Sequence, residues 1–119
     1  GLAMIEQGEE EVSLLQHRLR KALTLTRSRL KHFKDISFIE PDGAFYCFFS
    51  VRGLTDSLAF AHALLAQTKV GLAPGLAFGP VGEGYLRLCY AQDEQILNKA
   101  FDRLDKGFNA VRRSLIEDK

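Results

Sequence analysis

Apolar residues recur three or four positions apart at Val12, Leu15, Leu19, Leu23, Leu30 and Phe33, a spacing that predicts one long amphipathic helix. Glu9, Glu10 and Glu11 stand at its start, while Arg27, Arg29, Lys31 and Lys34 gather at its end. Charge and pattern therefore agree about its direction along the helix dipole. A helix of about 25 residues reaches roughly 37 Å, more than so small a unit needs, so its N-terminal part is expected to pack against something outside this chain.

The period then shortens. Ile36 to Glu40 is a short β-rich run, Pro41-Asp42-Gly43 is a turn signal, and Ala44 to Val51 is a second strand with apolar residues on both faces, together a hairpin. Asp56 or Ser57 is the expected N-cap of a helix with Leu58, Ala61, Leu64 and Leu65 inward, ending near Lys69. Val70 to Ala73 suits a short edge strand, and Tyr85 to Ala91 is the third clear strand. From Asp93 a final helix places Ile96, Leu97, Ala100, Phe101, Leu104, Phe108 and Val111 at helical spacing, with Gly107 expected to weaken or bend it. This order predicts an α+β fold: a mainly antiparallel sheet of three to four strands covered on one face by helices, its other face free to meet something.

Composition narrows the class of function. Sixteen basic against fifteen acidic side chains leave a formal net charge of +1, which argues against nucleic acid as a partner. No apolar run is long enough to span a membrane, and the N-terminus lacks the basic start and apolar core of a signal peptide, so the chain reads as cytoplasmic. Cys47 and Cys89 each fall inside an expected strand and belong to no metal-binding spacing, and His17, His32 and His62 are scattered, so no metal site is expected.

The chemically informative stretch is Val70 to Ala91, where a Pro-Gly turn and a glycine-rich loop run into a strand carrying Arg87. Side chains alternate along a strand, so Leu86, Leu88 and Tyr90 face the core and Arg87 the opposite side. A guanidinium keeps its charge and presents a fork of donors shaped for a carboxylate or phosphate. It is either a solvated arginine paired with a nearby Asp or Glu, or a site for an external anion. The loop is not a phosphate cradle: it lacks a Gly-Lys-Ser/Thr run, and Gly82-Glu83-Gly84 leads into a strand rather than a helix. Its glycines suit close approach of backbone to a ligand or another domain.

Three motifs in order resemble the fold-type-I aminotransferases that use pyridoxal phosphate, the class that includes aspartate aminotransferases. Ala3 to Val12 (AMIEQGEEEV) is similar to the start of the long helix leaving that family's large domain. Pro41 to Tyr46 (PDGAFY) is similar to its P-x-G-[AG]-[FM]-[FY] hairpin, and Val70 to Ala91 resembles its V-x-[VL]-x-P-G-x-x-F-G…[GY]-x-[VL]-R-[LI]-x-[YF]-A signature. The resemblance implies that residues 1–119 are one unit, the C-terminal small domain, with residues 1–34 leading out of an absent large domain. It implies that Arg87 holds the α-carboxylate of an amino-acid substrate, that Pro74, Gly75 and Phe78 lie beside the substrate mouth, and that Gly43 and Ala44 pack near the same interface. Read alone, Gly43 is equally a hairpin turn residue and Phe78 a core residue.

The resemblance also implies what is missing. The family's Schiff-base lysine, its acid for the pyridine nitrogen and its phosphate-binding helix start lie upstream of this region, so no catalytic residue is expected here. Lys69 after Thr68 imitates a Ser/Thr-Lys pair, but it closes a helix, where a lysine complements the dipole. The parent is expected to be a homodimer acting on amino acids and 2-oxo acids with pyridoxal phosphate, whereas this chain alone is expected to bind none and to be inactive. Two other readings remain open: a free-standing amino-acid or anion-binding regulatory module, and the small domain of another fold-type-I protein, such as a lyase, a decarboxylase or an aminotransferase-like transcription regulator.

Overall fold

The computed structural model describes residues 2–39 and 46–117, with side chains from residue 10 onward. Helix α1 covers Leu2–Leu30, followed by strands β1 (Ile36–Ile39) and β2 (Tyr46–Val51), helix α2 (Ser57–Thr68), strands β3 (Ala73–Pro74) and β4 (Tyr85–Cys89), and helix α3 (Glu94–Arg112). The strands form one antiparallel sheet in the order β1-β2-β4-β3, with β2 and β4 at its centre. Helices pack on one face of it, as an α+β layer requires.

Alternation sorts the sheet into two unlike faces. Cys47, Phe49 and Val51 of β2 and Leu86 and Leu88 of β4 are buried, and they join Phe60, Leu64, Leu97, Phe101, Leu104 and Phe108 from α2 and α3 in one core. Phe108 meets Phe33 and Phe60 edge-on, with ring centroids 5.0 and 5.4 Å away, a geometry worth about 1 kcal/mol per pair beyond the area buried. Cys47 is buried and Cys89 half-buried, and both are free thiols.

Helix α1 differs from expectation at both ends. It begins by Leu2, so Glu10 and Glu11 fall in its third turn, beyond the reach of the dipole field, while Arg27 and Arg29 do occupy the last turn. It stops at Leu30 rather than near residue 34; turns follow up to Asp35, which is left-handed, φ 61°, and its carbonyl accepts the Arg52 amide as the chain turns into β1. Ala22, Thr26 and Leu30 are buried, but Val12, Leu14 and Leu15 are half exposed, at 55, 50 and 53%. The radius of gyration is 16.5 Å, against roughly 13.5 Å for a compact chain of this length. The difference reflects an N-terminal half of α1 that projects past the sheet.

In α2 the inward residues are Ser57, Phe60, Ala61, Leu64 and Thr68, whereas Leu58 and Leu65 are exposed. The segment is apolar nearly all round, so its period does not select a face, and contact with α3 makes the choice. Gly107 neither ends nor interrupts α3. It marks the crossing with α2, where a Cβ would come within 2.5 Å of Thr68 Cγ2. Ile96 is exposed, unlike the other apolar positions expected inward on α3. The edge strand is only Ala73–Pro74, as suits a proline with no N–H to donate, while Val70 and Leu72 turn into the core. The expected PDG turn, Gly43 and Ala44 lie outside the described residues.

Candidate functional site

The described strands carry one charged side chain, Arg87. It lies at the middle of β4, opposite Phe48 of β2 on one side and Ala73 of β3 on the other. Leu86 and Leu88 are buried in the core, so alternation puts Arg87 on the face that the helices leave uncovered. That face is continued by Ile39, paired with Phe48, and by Tyr46.

Aromatic rings flank the guanidinium. Its carbon lies 4.0 Å from the centroid of the Tyr46 ring and 4.3 Å from that of Phe78. Each contact is worth about 0.5–1 kcal/mol at a partly exposed site. Phe78 is in turn braced edge-on by Phe48, ring centroids 5.6 Å apart. Among the described residues no carboxylate forms an ion pair with Arg87, so the fork of donors is held by packing on its faces.

The loop that carries Phe78 is fixed by its glycines. Two short 3₁₀ turns, Gly75–Phe78 and Pro80–Gly82, fold against each other. A Cβ on Gly75 would lie 1.9 Å from the Gly82 carbonyl oxygen, and one on Gly82 would lie 2.1 Å from that of Gly75. Only hydrogen fits at either position. The start of α2 ties the loop down. Asp56 caps the helix by accepting from the Ala59 amide at 3.0 Å, Glu83 accepts from the Ser57 amide, and the Ser57 hydroxyl accepts from the Leu76 amide at 3.2 Å. The glycine-rich loop is thus a rigid support for Phe78.

The residues expected at the site therefore separate. Arg87 and Phe78 come together, Pro74 and Gly75 begin the loop that joins them, and Gly43 and Ala44 lie outside the described residues. Phe78 is 47% exposed and packs on a cation, not in the core. Sequence reasoning missed Tyr46 as a partner of Arg87 because their meeting depends on the β2–β4 register, and it missed Glu83 and Ser57 because they are 26 residues apart. Lys69 is the exposed, left-handed cap of α2, φ 63°, with its amide bonded to Leu65, as its reading as a helix end anticipated.

Two surface clefts among the described residues lie elsewhere. One of about 290 Å³ is bounded by Lys69, Leu88 and Arg103, and one of about 730 Å³ runs between α1 and the start of α3; Arg87 lines neither. Among the described residues no group of His, Cys, Asp and Glu could hold a metal ion, and no helix is long and apolar enough to cross a membrane. A ligand held at Arg87 rests on an open face and needs a second wall.

Over 108 residues the chain is 34% identical to the aspartate aminotransferase of Pyrococcus horikoshii, covering 90% of this chain and 28% of that protein. It is 35% identical to the aspartate aminotransferase of Thermotoga maritima, covering 91% of this chain and 27% of that one. The fold superposes on the crystal structure of an aromatic aminotransferase from P. horikoshii with a TM-score of 0.82 and 29% identity, over 93% of this chain and 29% of the other. The chain thus spans under a third of the length of the relatives it matches. Residues 2–104 match the family described as aminotransferase class I and II, and the chain belongs to that family.

Proposed function

We propose that this chain is the substrate-closing part of a longer pyridoxal-phosphate-dependent aminotransferase, and that Arg87 binds the α-carboxylate of its amino-acid and 2-oxo-acid substrates. The observation that carries the reading is a cation at the centre of an uncovered sheet face, gripped by Tyr46 and Phe78 and paired with no described carboxylate. Charge-assisted, paired hydrogen bonds from a guanidinium fork suit a carboxylate. By fixing that end of the substrate, Arg87 would aim the amino group and the Cα–H at the reacting centre, so it serves orientation as well as affinity.

The cofactor of the family does not fit the described residues of the uncovered face. Pyridoxal phosphate supplies an electron sink, and it needs a lysine for its aldehyde, an acid for its ring nitrogen and a cradle for its phosphate. With Arg87 the only charged side chain in the described strands, the described residues of the uncovered face offer none of these. The role of this chain therefore ends at the substrate carboxylate and closure of the site, and the chemistry is assigned to a large domain upstream. Exposed apolar residues support such a partner on two surfaces: Val12, Leu14 and Leu15 on α1, and Ile39, Tyr46 and Phe78 beside Arg87. Neighbouring apolar exposure of this kind marks an interaction surface.

The test is Arg87→Ala in the full-length polypeptide. It should raise KM for amino acids and lower kcat/KM by about a hundredfold or more through lost affinity and positioning. A variant with kcat/KM near the wild type would remove the assignment. The 119-residue chain dialysed after mixing with pyridoxal phosphate should retain no visible absorbance from the cofactor.

A further inference from the structure

We infer that Tyr46 and Phe78 are positioning residues that restrict Arg87 to flat, in-plane anions, making the site selective for carboxylates over tetrahedral oxyanions of the same charge. The inference rests on the carboxylate reading of Arg87. A guanidinium is planar and its donors lie in its plane. The two rings stand 4.0 and 4.3 Å from its carbon, and rings stacked on the faces of a guanidinium leave its rim for a ligand. A carboxylate meets that rim with two oxygens in the same plane. A sulfonate carries a third oxygen out of the plane, toward an aromatic face whose quadrupole is negative. The rings therefore penalise the tetrahedral anion without touching the planar one.

Both walls are built before a ligand arrives. Tyr46 is set by the register of β2, two pairs along from the Phe48–Arg87 pair and so on the same face. Phe78 is set by the edge-on contact with Phe48 and by the backbone contact of Gly75 with Gly82 beneath its loop. Removing one ring leaves the charge of Arg87 in place but frees the guanidinium to tilt and opens one of its faces.

The experiment measures inhibition of the full-length enzyme by propionate and by ethanesulfonate, two singly charged anions, each competing with the amino acid. The wild type should prefer propionate by about tenfold. In Phe78→Leu and Tyr46→Leu that preference should shrink by about threefold or more, whereas Phe78→Tyr and Tyr46→Phe, which keep a ring, should retain it. Both rings are more than a third exposed, and thermal melting checks that each variant is folded. A wild type indifferent to the two anions, or leucine variants that weaken both equally, would overturn the inference, since rings that only pack would not move the ratio. If Arg87→Ala leaves the propionate constant unchanged, the carboxylate reading fails instead, which separates the two outcomes.

Discussion

Arginines in two regions of this molecule meet opposite fates. At the seam between α1 and α3, Arg29 donates to Asp102 and Asp105, each at 2.8 Å, and to Asn98 at 3.0 Å, while stacking on Phe101. Arg112 donates to the Asp35 carboxylate at 3.0 Å and to the Lys34 carbonyl at 3.1 Å, and is joined by Glu117. Burial works against the charge of Arg29, yet hydrogen bonds and attraction from Asp102 and Asp105 hold its pKa above the ordinary value. On the uncovered sheet face Arg87 has aromatic rings instead of acids. At the seam the cations tie elements together; on the sheet face the proposed function assigns Arg87 to a ligand. Arginines that matter most for stability should therefore matter least for activity.

That reversal can be broken by a ranked series in the full-length polypeptide, read by urea unfolding and by turnover. The largest effect on stability is expected from Gly75→Ala, since its Cβ would meet the backbone of Gly82 and neither side can yield cheaply. A loss of about 3 kcal/mol should come with lower turnover, because the same loop holds Phe78 against Arg87. Full stability in this variant would show that the loop is looser than its geometry requires.

Arg112→Ala strands Asp35, which is two-thirds covered, and should cost about 2 kcal/mol with turnover little changed. Next comes Arg29→Ala, at about 1 kcal/mol, because Asp102 is two-thirds exposed and Asp105 nearly half. Its cost should shrink between low salt and 1 M salt as the exposed charges are screened; a salt-independent cost would assign the effect to packing on Phe101. The smallest stability effect, under about 1 kcal/mol, is expected from Arg87→Ala, the variant with the largest loss of activity. If Arg87→Ala unfolds the protein as readily as Arg112→Ala, the contrast between the two regions collapses.

Much of this arrangement was legible in the chain. The helical period of α3 and the Asp93 cap located that helix, and the cap side chain does accept the Gln95 amide at 2.8 Å. The alternation in Tyr85–Cys89 put Leu86 and Leu88 inward and Arg87 outward, as observed. Other features were hidden for identifiable reasons. The apolar residues around α2 gave no preferred face, so Leu58 and Leu65 were expected inside and stand outside. The length of α1 was legible, but its end was not, because Phe33 continues the apolar spacing while the chain has already turned after Leu30. The glycines at 75 and 82 read as permitting close approach of backbone to a ligand or another domain, yet the approach they permit is to each other.

The sequence by itself determined the α+β layering, the family, and the presence of one cation in the strand that begins at Tyr85, since these follow from periodicity and from residue types at fixed spacing along one chain. Only the tertiary structure decided what surrounds that cation. Tyr46 and Arg87 are 41 positions apart in sequence, and they meet because β2 and β4 pair in one register. Phe78 completes the pair because α2, through Ser57, anchors the loop that carries it. Contacts between distant segments depend on strand pairing and backbone packing, and no local pattern of hydrophobic and polar residues encodes them.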